Sequence, residues 1–141
     1  MKSYIKVALF VVLIFVVSGI LYALILYNKK HPDTSKVKPD FVITATALQK
    51  AFEDGEAAAS AKYINKIIEV SGSITSVTKA DSNNVNISLK SGNDLSSVIC
   101  TFAPADPSKY KTGDEITIRG ECSGFLMDVL LNNCAIVQKR K

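Results

Sequence analysis

Few residues in this 141-residue chain could do chemistry, and their spacing denies them the usual partners. Cys100, Cys122 and Cys134 are widely separated, with none of the C-x-x-C pairing that holds zinc or runs thiol–disulfide exchange. A structural zinc ion needs four ligands, commonly presented as closely spaced pairs, so no metal site is predicted. The single histidine, His31, stands between Lys30 and Pro32 in a polar stretch with no serine or carboxylate suggested as its partner. It reads as a solvated residue, not as a general base. There is no nucleophile elbow, no phosphate-binding glycine loop and no pair of acids in a catalytic setting. These residues predict a protein that is not an enzyme and requires no cofactor.

The formal charge of +4 suggests a nucleic-acid binder until it is divided along the chain. Residues 1–39 carry six lysines and one acid, whereas residues 40–141 carry eleven basic and twelve acidic groups. The excess therefore lies beside the N-terminal segment. From Val7 to Tyr27 run 21 residues interrupted only by Ser18 and Gly19. At about 1.5 Å per residue, a helix of that length crosses roughly 30 Å of hydrocarbon. Lys2 and Lys6 precede the run, Lys29 and Lys30 follow it, and Tyr4, Tyr22 and Tyr27 can sit at the interfaces. A cleaved signal has a shorter apolar core, about 7–15 residues, and a small-residue cleavage site. The expectation is a single uncleaved span, with the lipid bilayer as partner of residues 7–27. No cysteine follows the run to take a lipid.

From Asn28 to Asp40 the chain is polar, contains Pro32 and Pro39, and reads as a linker of about residues 29–40. The remaining residues, 41–141, suffice for one modest core. After Phe41-Val42-Ile43, Thr46-x-x-Gln49 has the form of a capping box. Leu48 and Phe52 then share a helix face. Gly55 interrupts, and the alanine-rich stretch Glu56 to Tyr63 predicts a second helix. The pair forms a helical hairpin over about 46–64, expected to cover one end of a sheet.

Beyond Lys66 the period changes to two. Ile68, Val70, Gly72 and Ile74 form one face, as do Val85, Ile87 and Leu89, then Val98, Cys100 and Phe102. Ile116, Ile118, Gly120 and Cys122 make a fourth face, and Val129 to Val137 a fifth strand in which Asn132-Asn133 suggests a bulge. Asp81-Ser82-Asn83 and Ser91-Gly92-Asn93-Asp94 are turns, and Pro104 and Pro107 end the third strand. Gly72 and Gly120 read as bends at barrel corners. Five short strands so spaced predict a mainly β domain, an antiparallel barrel or sandwich, of which a five-stranded partly open barrel is the smallest closed solution.

These residues resemble the tRNA-anti-like family of small membrane-anchored or lipoprotein-like bacterial chains, mainly from Bacteroidetes. The resemblance covers nearly the whole chain. It is carried by Asn28-Lys29-Lys30-His31, Ala47-Leu48, Ala57-Ala58, Lys62 to Gly72, Val98-Ile99-Cys100 and, above all, Lys111 to Asp114, Ile116 to Gly124 and Val129 to Cys134. It implies an OB-type barrel, the fold named for oligonucleotide and oligosaccharide binding, with helices ahead of the strands. It also implies an extracytoplasmic, periplasmic domain, although the lysines after the span outnumber those before it and would favour the cytoplasm. It implies no activity. In the usual OB order the third and fifth strands are neighbours, so Cys100 and Cys134 could meet the roughly 4.4–6.8 Å Cα separation of a disulfide. Cys122 would lie nearer Val129. The other reading of all three cysteines is as small buried apolar groups.

Nucleic-acid binding by an OB fold needs a basic groove and exposed aromatic rings. The outward positions Asn84, Asn86, Ser88, Ser97, Ile99 and Thr101 provide neither. Lys139-Arg140-Lys141 reads as a solvated tail. Phe125-Leu126-Met127 would expose three consecutive apolar residues at a hairpin tip unless the helices cover them, and otherwise marks an interaction point for a partner or for the membrane surface. The sequence thus predicts a single-pass membrane protein displaying a binding or assembly module. The alternatives are a single-stranded nucleic-acid binder, and a thiol-dependent redox or envelope-stress protein, which would need an exposed low-pKa cysteine.

Overall fold

The computed structural model describes residues 2–27, 34–81, 83–103 and 106–140. Its contacts divide the chain into two units, Met1–His31 and Pro32–Lys141. The first contains one helix, α1 (Lys2–Tyr27). Between Lys6 and Ile25 every side chain along it is exposed, so it is apolar all round with no protein core to bury it. Length and composition suit it to cross a membrane. His31 lies outside the described residues.

In the second unit come β1 (Phe41–Thr44), α2 (Ala45–Asp54), α3 (Glu56–Tyr63), β2 (Ile67–Lys79), β3 (Val85–Lys90), β4 (Ser97–Phe102), a 3-10 turn at Pro107–Lys109, β5 (Glu115–Leu126) and β6 (Asp128–Arg140). The sheet order is β1-β2-β3-β4-β6-β5, and pairing of β2 with β5 closes β2 to β6 into a five-strand barrel. Long β2 makes this possible: Ile67 to Ser73 pair with β5, whereas Ile74 to Lys79 pair with β3. The expected antiparallel arrangement holds except at β4–β6, which is parallel. An odd number of strands cannot alternate direction around a closed ring, so one pairing has to break the pattern. A sixth strand, β1, lies parallel to the first half of β2, where sequence alone marked only an apolar opening.

The inward faces are those that the alternation predicts. Ile68, Val70, Ile74, Val85, Ile87, Leu89, Val98, Phe102, Ile116 and Ile118 are buried, and Leu48 and Phe52 of α2 join them. The helix cap is corrected. Thr44, not Thr46, is the N-cap, its Oγ1 accepting from the Ala47 amide at 3.2 Å. Gln49 therefore makes no capping box and is buried at the end of the barrel.

The linker is corrected as well. Residues 34–40 are docked on the barrel. Thr34 is buried and its Oγ1 donates to the Asn133 carbonyl at 2.5 Å. Arg119 donates to the carbonyls of Ser35 (2.9 Å) and Val37 (2.8 Å) while pairing with Glu69. Asp40 brackets Ile67 with two hydrogen bonds, at 2.8 and 2.9 Å. Polar composition marked the segment as having little to bury, but its backbone carbonyls serve as acceptors, which composition does not reveal.

Two further expectations change. The C-terminal basic residues are not a free tail through Arg140, because β6 continues with Lys139 opposite Ile116 and Arg140 opposite Glu115; Lys141 lies outside the described residues. Cys122 stands opposite Leu131, not near Val129, because β5 runs on to Leu126 and turns at Met127, which sets Phe125 opposite Val129. The asparagine bulge is present: Asn133 has φ 52°, and the register shifts between Arg119 and Glu121.

That bulge explains Gly120. A Cβ there would lie 2.6 Å from Cys134 Sγ, 3.1 Å from the Asn132 carbonyl oxygen and 3.3 Å from Leu131 Cβ. Gly120→Ala is expected to cost about 2–3 kcal/mol by overpacking. Adding Cys134→Ala should return part of that loss by removing the nearest atom. Urea unfolding of the single and double variants checks this, and equal losses in both would show that the thiol does not set the limit.

Candidate interaction site

The predicted hairpin tip is divided by its packing. Phe125 is half-buried, its ring stacked on Phe52 at 5.2 Å between centroids and 21° between planes. Leu126 and Met127 are 79% and 72% exposed. Leu95, which sequence reasoning did not single out, stands beside them at 88% exposed. These side chains, with Glu53 and Glu56, line a groove of about 690 Å³. The helices thus cover Phe125 and leave Leu126 and Met127 uncovered.

The groove is built on hydrogen bonds. Gln49 Nε2 donates to the Met127 carbonyl at 2.7 Å and to Glu53 Oε1 at 3.0 Å, tying α2 to the hairpin. The same Glu53 oxygen accepts from Asn93 Nδ2 (2.9 Å) and Ser96 Oγ (3.0 Å). Asn93 Oδ1 in turn accepts from the amides of Leu95 and Ser96. Asp128 binds the amide and hydroxyl of Ser97, fixing the start of β6 against β4. The hydrogen bonds from Gln49, then Ser96 and Asn93, hold the Glu53 carboxyl below its ordinary pKa, so the groove wall is anionic at neutral pH.

Met127 alone forms the loop between paired Leu126 and Asp128, with φ 68°. Left-handed backbone suits glycine, whereas a long unbranched side chain there is uncommon. Exposed, apolar and held in an unfavourable conformation, Met127 contributes little to the folded state that glycine could not. Such residues cluster where function requires them.

The cysteines come together only in part. Cys100 is fully buried on β4, Cys122 is buried on β5, and Cys134 is half-buried on β6. All three are free thiols. The Cys134 thiol donates to the Leu131 carbonyl at 3.4 Å, and Leu131 stands opposite Cys100 in the β4–β6 register. Burial, then the neighbouring Cys134 thiol, pushes the Cys100 pKa well up. Burial raises Cys122 to about 11. Neither is a ready nucleophile, since the thiolate is the reactive form.

Other surfaces offer less. A second groove of about 540 Å³ is lined chiefly by hydroxyls, with Lys90 and Glu115 at its walls. The six aromatic rings beyond residue 40 are all committed to the fold: Phe52, Tyr63 and Phe102 are buried, and Phe41, Tyr110 and Phe125 pack against the core. No group of His, Cys, Asp and Glu among the described residues could hold a metal ion.

Comparison with known proteins places this architecture. A candidate nucleic acid-binding lipoprotein of Klebsiella pneumoniae shares the fold, with 19% identity, a TM-score of 0.53, and coverage of 68% of this chain and 91% of that one. Shallower likenesses extend to the Stn1–Ten1 complex of S. pombe (11% identity, TM-score 0.44, 53% of this chain and 58% of that one). An asparaginyl-tRNA synthetase of Entamoeba histolytica is similar at 10% identity and TM-score 0.45 over 74% of this chain and 25% of that one. No curated protein matches the sequence. The family model for tRNA_anti-like proteins matches residues 1–136. That stretch takes in the apolar helix, the docked segment, the helical cover and nearly all of the barrel, and the chain belongs to the tRNA_anti-like family.

Proposed function

We propose that this protein is a membrane-tethered, non-enzymatic docking module whose OB barrel, on the extracytoplasmic side, binds another protein through the groove at Leu95, Leu126 and Met127. The observation carrying this reading is the concentration of exposed apolar surface in one place. Among the described residues of the barrel unit the exposed large hydrophobics are Val42, Val137, Leu95, Leu126 and Met127, and the last three share one groove. Glu53 and Glu56 border it, so the complementary partner presents an aliphatic or aromatic side chain flanked by Lys or Arg. The same acids oppose insertion among anionic lipid headgroups. Tethering supports the assignment too: with residues 34–40 docked, only residues 28–33 separate the barrel unit from α1. A short tether raises the effective concentration for partners at the same membrane.

A nucleic-acid role, as the Klebsiella relative's description would suggest, is less well supported. Bases need aromatic faces to stack on, and every ring in the barrel unit is packed into the fold. An apolar groove bordered by carboxylates also repels phosphate.

The test uses the full chain in its own membrane, with a photoreactive amino acid placed at Leu126 or, as control, at Val42, which is 72% exposed but outside the groove. A discrete protein adduct at Leu126 alone is expected, and Met127→Gly combined with Leu95→Ser should abolish it. Met127→Gly relieves the left-handed backbone, so the loss should come with unchanged or slightly higher thermal stability. Equal labelling at both positions, adducts with lipid alone, or salt-sensitive retention of the protein on single-stranded DNA would overturn the reading.

A further inference from the structure

We infer that Cys100 and Cys134 are a disulfide-forming pair, whose bridge staples β4 to β6 across the one parallel seam of the barrel. Three features bring them together. The parallel register sets Cys100 opposite Leu131, three residues before Cys134. The bulge at left-handed Asn133 shortens that offset and turns Cys134 back, its Sγ 3.4 Å from the Leu131 carbonyl. Gly120 on β5 leaves the space that Sγ occupies, since a Cβ there would come within 2.6 Å of it. The result sets the two cysteines beside each other on neighbouring strands that are joined by only three paired positions. Cys122 is buried on β5, paired with Leu131 across the β5–β6 hairpin and not across the parallel seam.

The chemistry needs an external disulfide, such as oxidised glutathione or an oxidoreductase in its disulfide form. One cysteine thiolate attacks that disulfide, giving a mixed disulfide and releasing one thiolate. The second cysteine displaces the remaining half. Two protons and two electrons leave Cys100 and Cys134, and the oxidant leaves as two thiols. Cys100 is fully buried, so the exchange belongs to the folding chain, before the barrel closes. Once formed, the bridge is sheltered from reductants for the same reason. The pairing does not rest on the docking groove. Its occupancy in the cell does depend on the domain facing an oxidising compartment.

The full chain in detergent, reduced and unfolded, is refolded in a glutathione redox buffer and alkylated in denaturant. The expected product has one alkylated thiol, Cys122, and a linked Cys100–Cys134 peptide pair; folded reduced protein in the same buffer should close at least tenfold more slowly. The bridge should raise the thermal midpoint by roughly 15 °C, given the length of chain it closes, in Cys122→Ala as in the native sequence but not in Cys134→Ser. Three alkylated thiols after refolding, a glutathione adduct on Cys134 without closure, or a bridge to Cys122 would overturn the pairing. Alkylation in intact cells separates the two questions. Three free thiols there, with closure intact in the test tube, would overturn the oxidising location and leave the pairing standing.

Discussion

Phe52→Ala is expected to destabilise the barrel by about 3–5 kcal/mol, much of the roughly 5–15 kcal/mol that a domain of this size possesses. Phe52 is 1% exposed at the centre of an aromatic row across the barrel end. Its ring lies 6.0 Å from Tyr63 and 5.2 Å from Phe125, and Tyr63 meets Phe41 edge-on at 5.1 Å. Alanine would remove the middle of that row and leave a void beneath α2, where neither the strands nor the helix can collapse far. The thermal midpoint should fall by on the order of 20 °C. The effect also reaches the groove, because Phe125 carries Leu126 and Met127 and rests on Phe52. Urea titration measures the first effect and photo-crosslinking at Leu126 the second. A loss under about 1 kcal/mol would show that the helical hairpin is an ornament on the barrel, not its plug.

Arg119→Ala should have the next largest effect, about 2–4 kcal/mol. Arg119 faces Glu69 in the β2–β5 register, with Nη2 2.5 Å and Nε 3.2 Å from the same carboxylate oxygen. The two side chains are only 14% and 18% exposed, so removing the guanidinium strands a largely buried carboxylate. That residual exposure places the cost below the limit for a fully buried pair. Arg119 is also what holds the docked segment, through the Ser35 and Val37 carbonyls. Tryptic cleavage after Lys36 is therefore expected to accelerate at least tenfold under conditions where the barrel stays folded. Arg119→Lys should recover much of the stability but little of the protection, because a lysine ammonium cannot span a carboxylate and two carbonyls as the guanidinium fork does. Unchanged cleavage in Arg119→Ala would mean that Thr34 and Asp40 suffice to hold the segment.

Periodicity served well wherever one face of an element meets the core. The alternation at Ile68-Val70, Val85-Ile87-Leu89 and Ile116-Ile118 matches the buried positions, because a period of two leaves a strand no other way to hide its apolar groups. The Leu48 and Phe52 spacing placed the covering helix for a similar reason. Local chemistry was less certain. Thr44 and Thr46 can both cap a helix, and the choice fell to Thr44 because β1 ends there in extended backbone. Gln49 was misread on the same account: its partner, the Met127 carbonyl, is 78 positions away in sequence.

The groove shows the same boundary. Phe125-Leu126-Met127 was visible as an apolar run at a turn, but which of the three the helices would cover depends on where Phe52 stands. Leu95 gave no signal at all, since a single leucine in a polar loop is ordinary until Asn93, Ser96 and Glu53 hold it beside the hairpin. Residues 34–40 looked like a spacer because composition registers side chains, whereas their role lies in carbonyls that Arg119 collects.

By itself the sequence determined an apolar helix of membrane-spanning length, a near-neutral domain after it, the helical cover and the faces of five strands. Each of these follows from hydrophobic burial at a fixed period, and a period is a local property. Only the tertiary structure decided that the linker docks, that β4 and β6 run parallel, that the bulge brings Cys134 toward the strand carrying Cys100, and that three aliphatic side chains share an acidic-edged groove. Those depend on groups brought together by barrel closure and by the bulge at Asn133, and contacts between residues far apart in the chain leave no periodic trace in it.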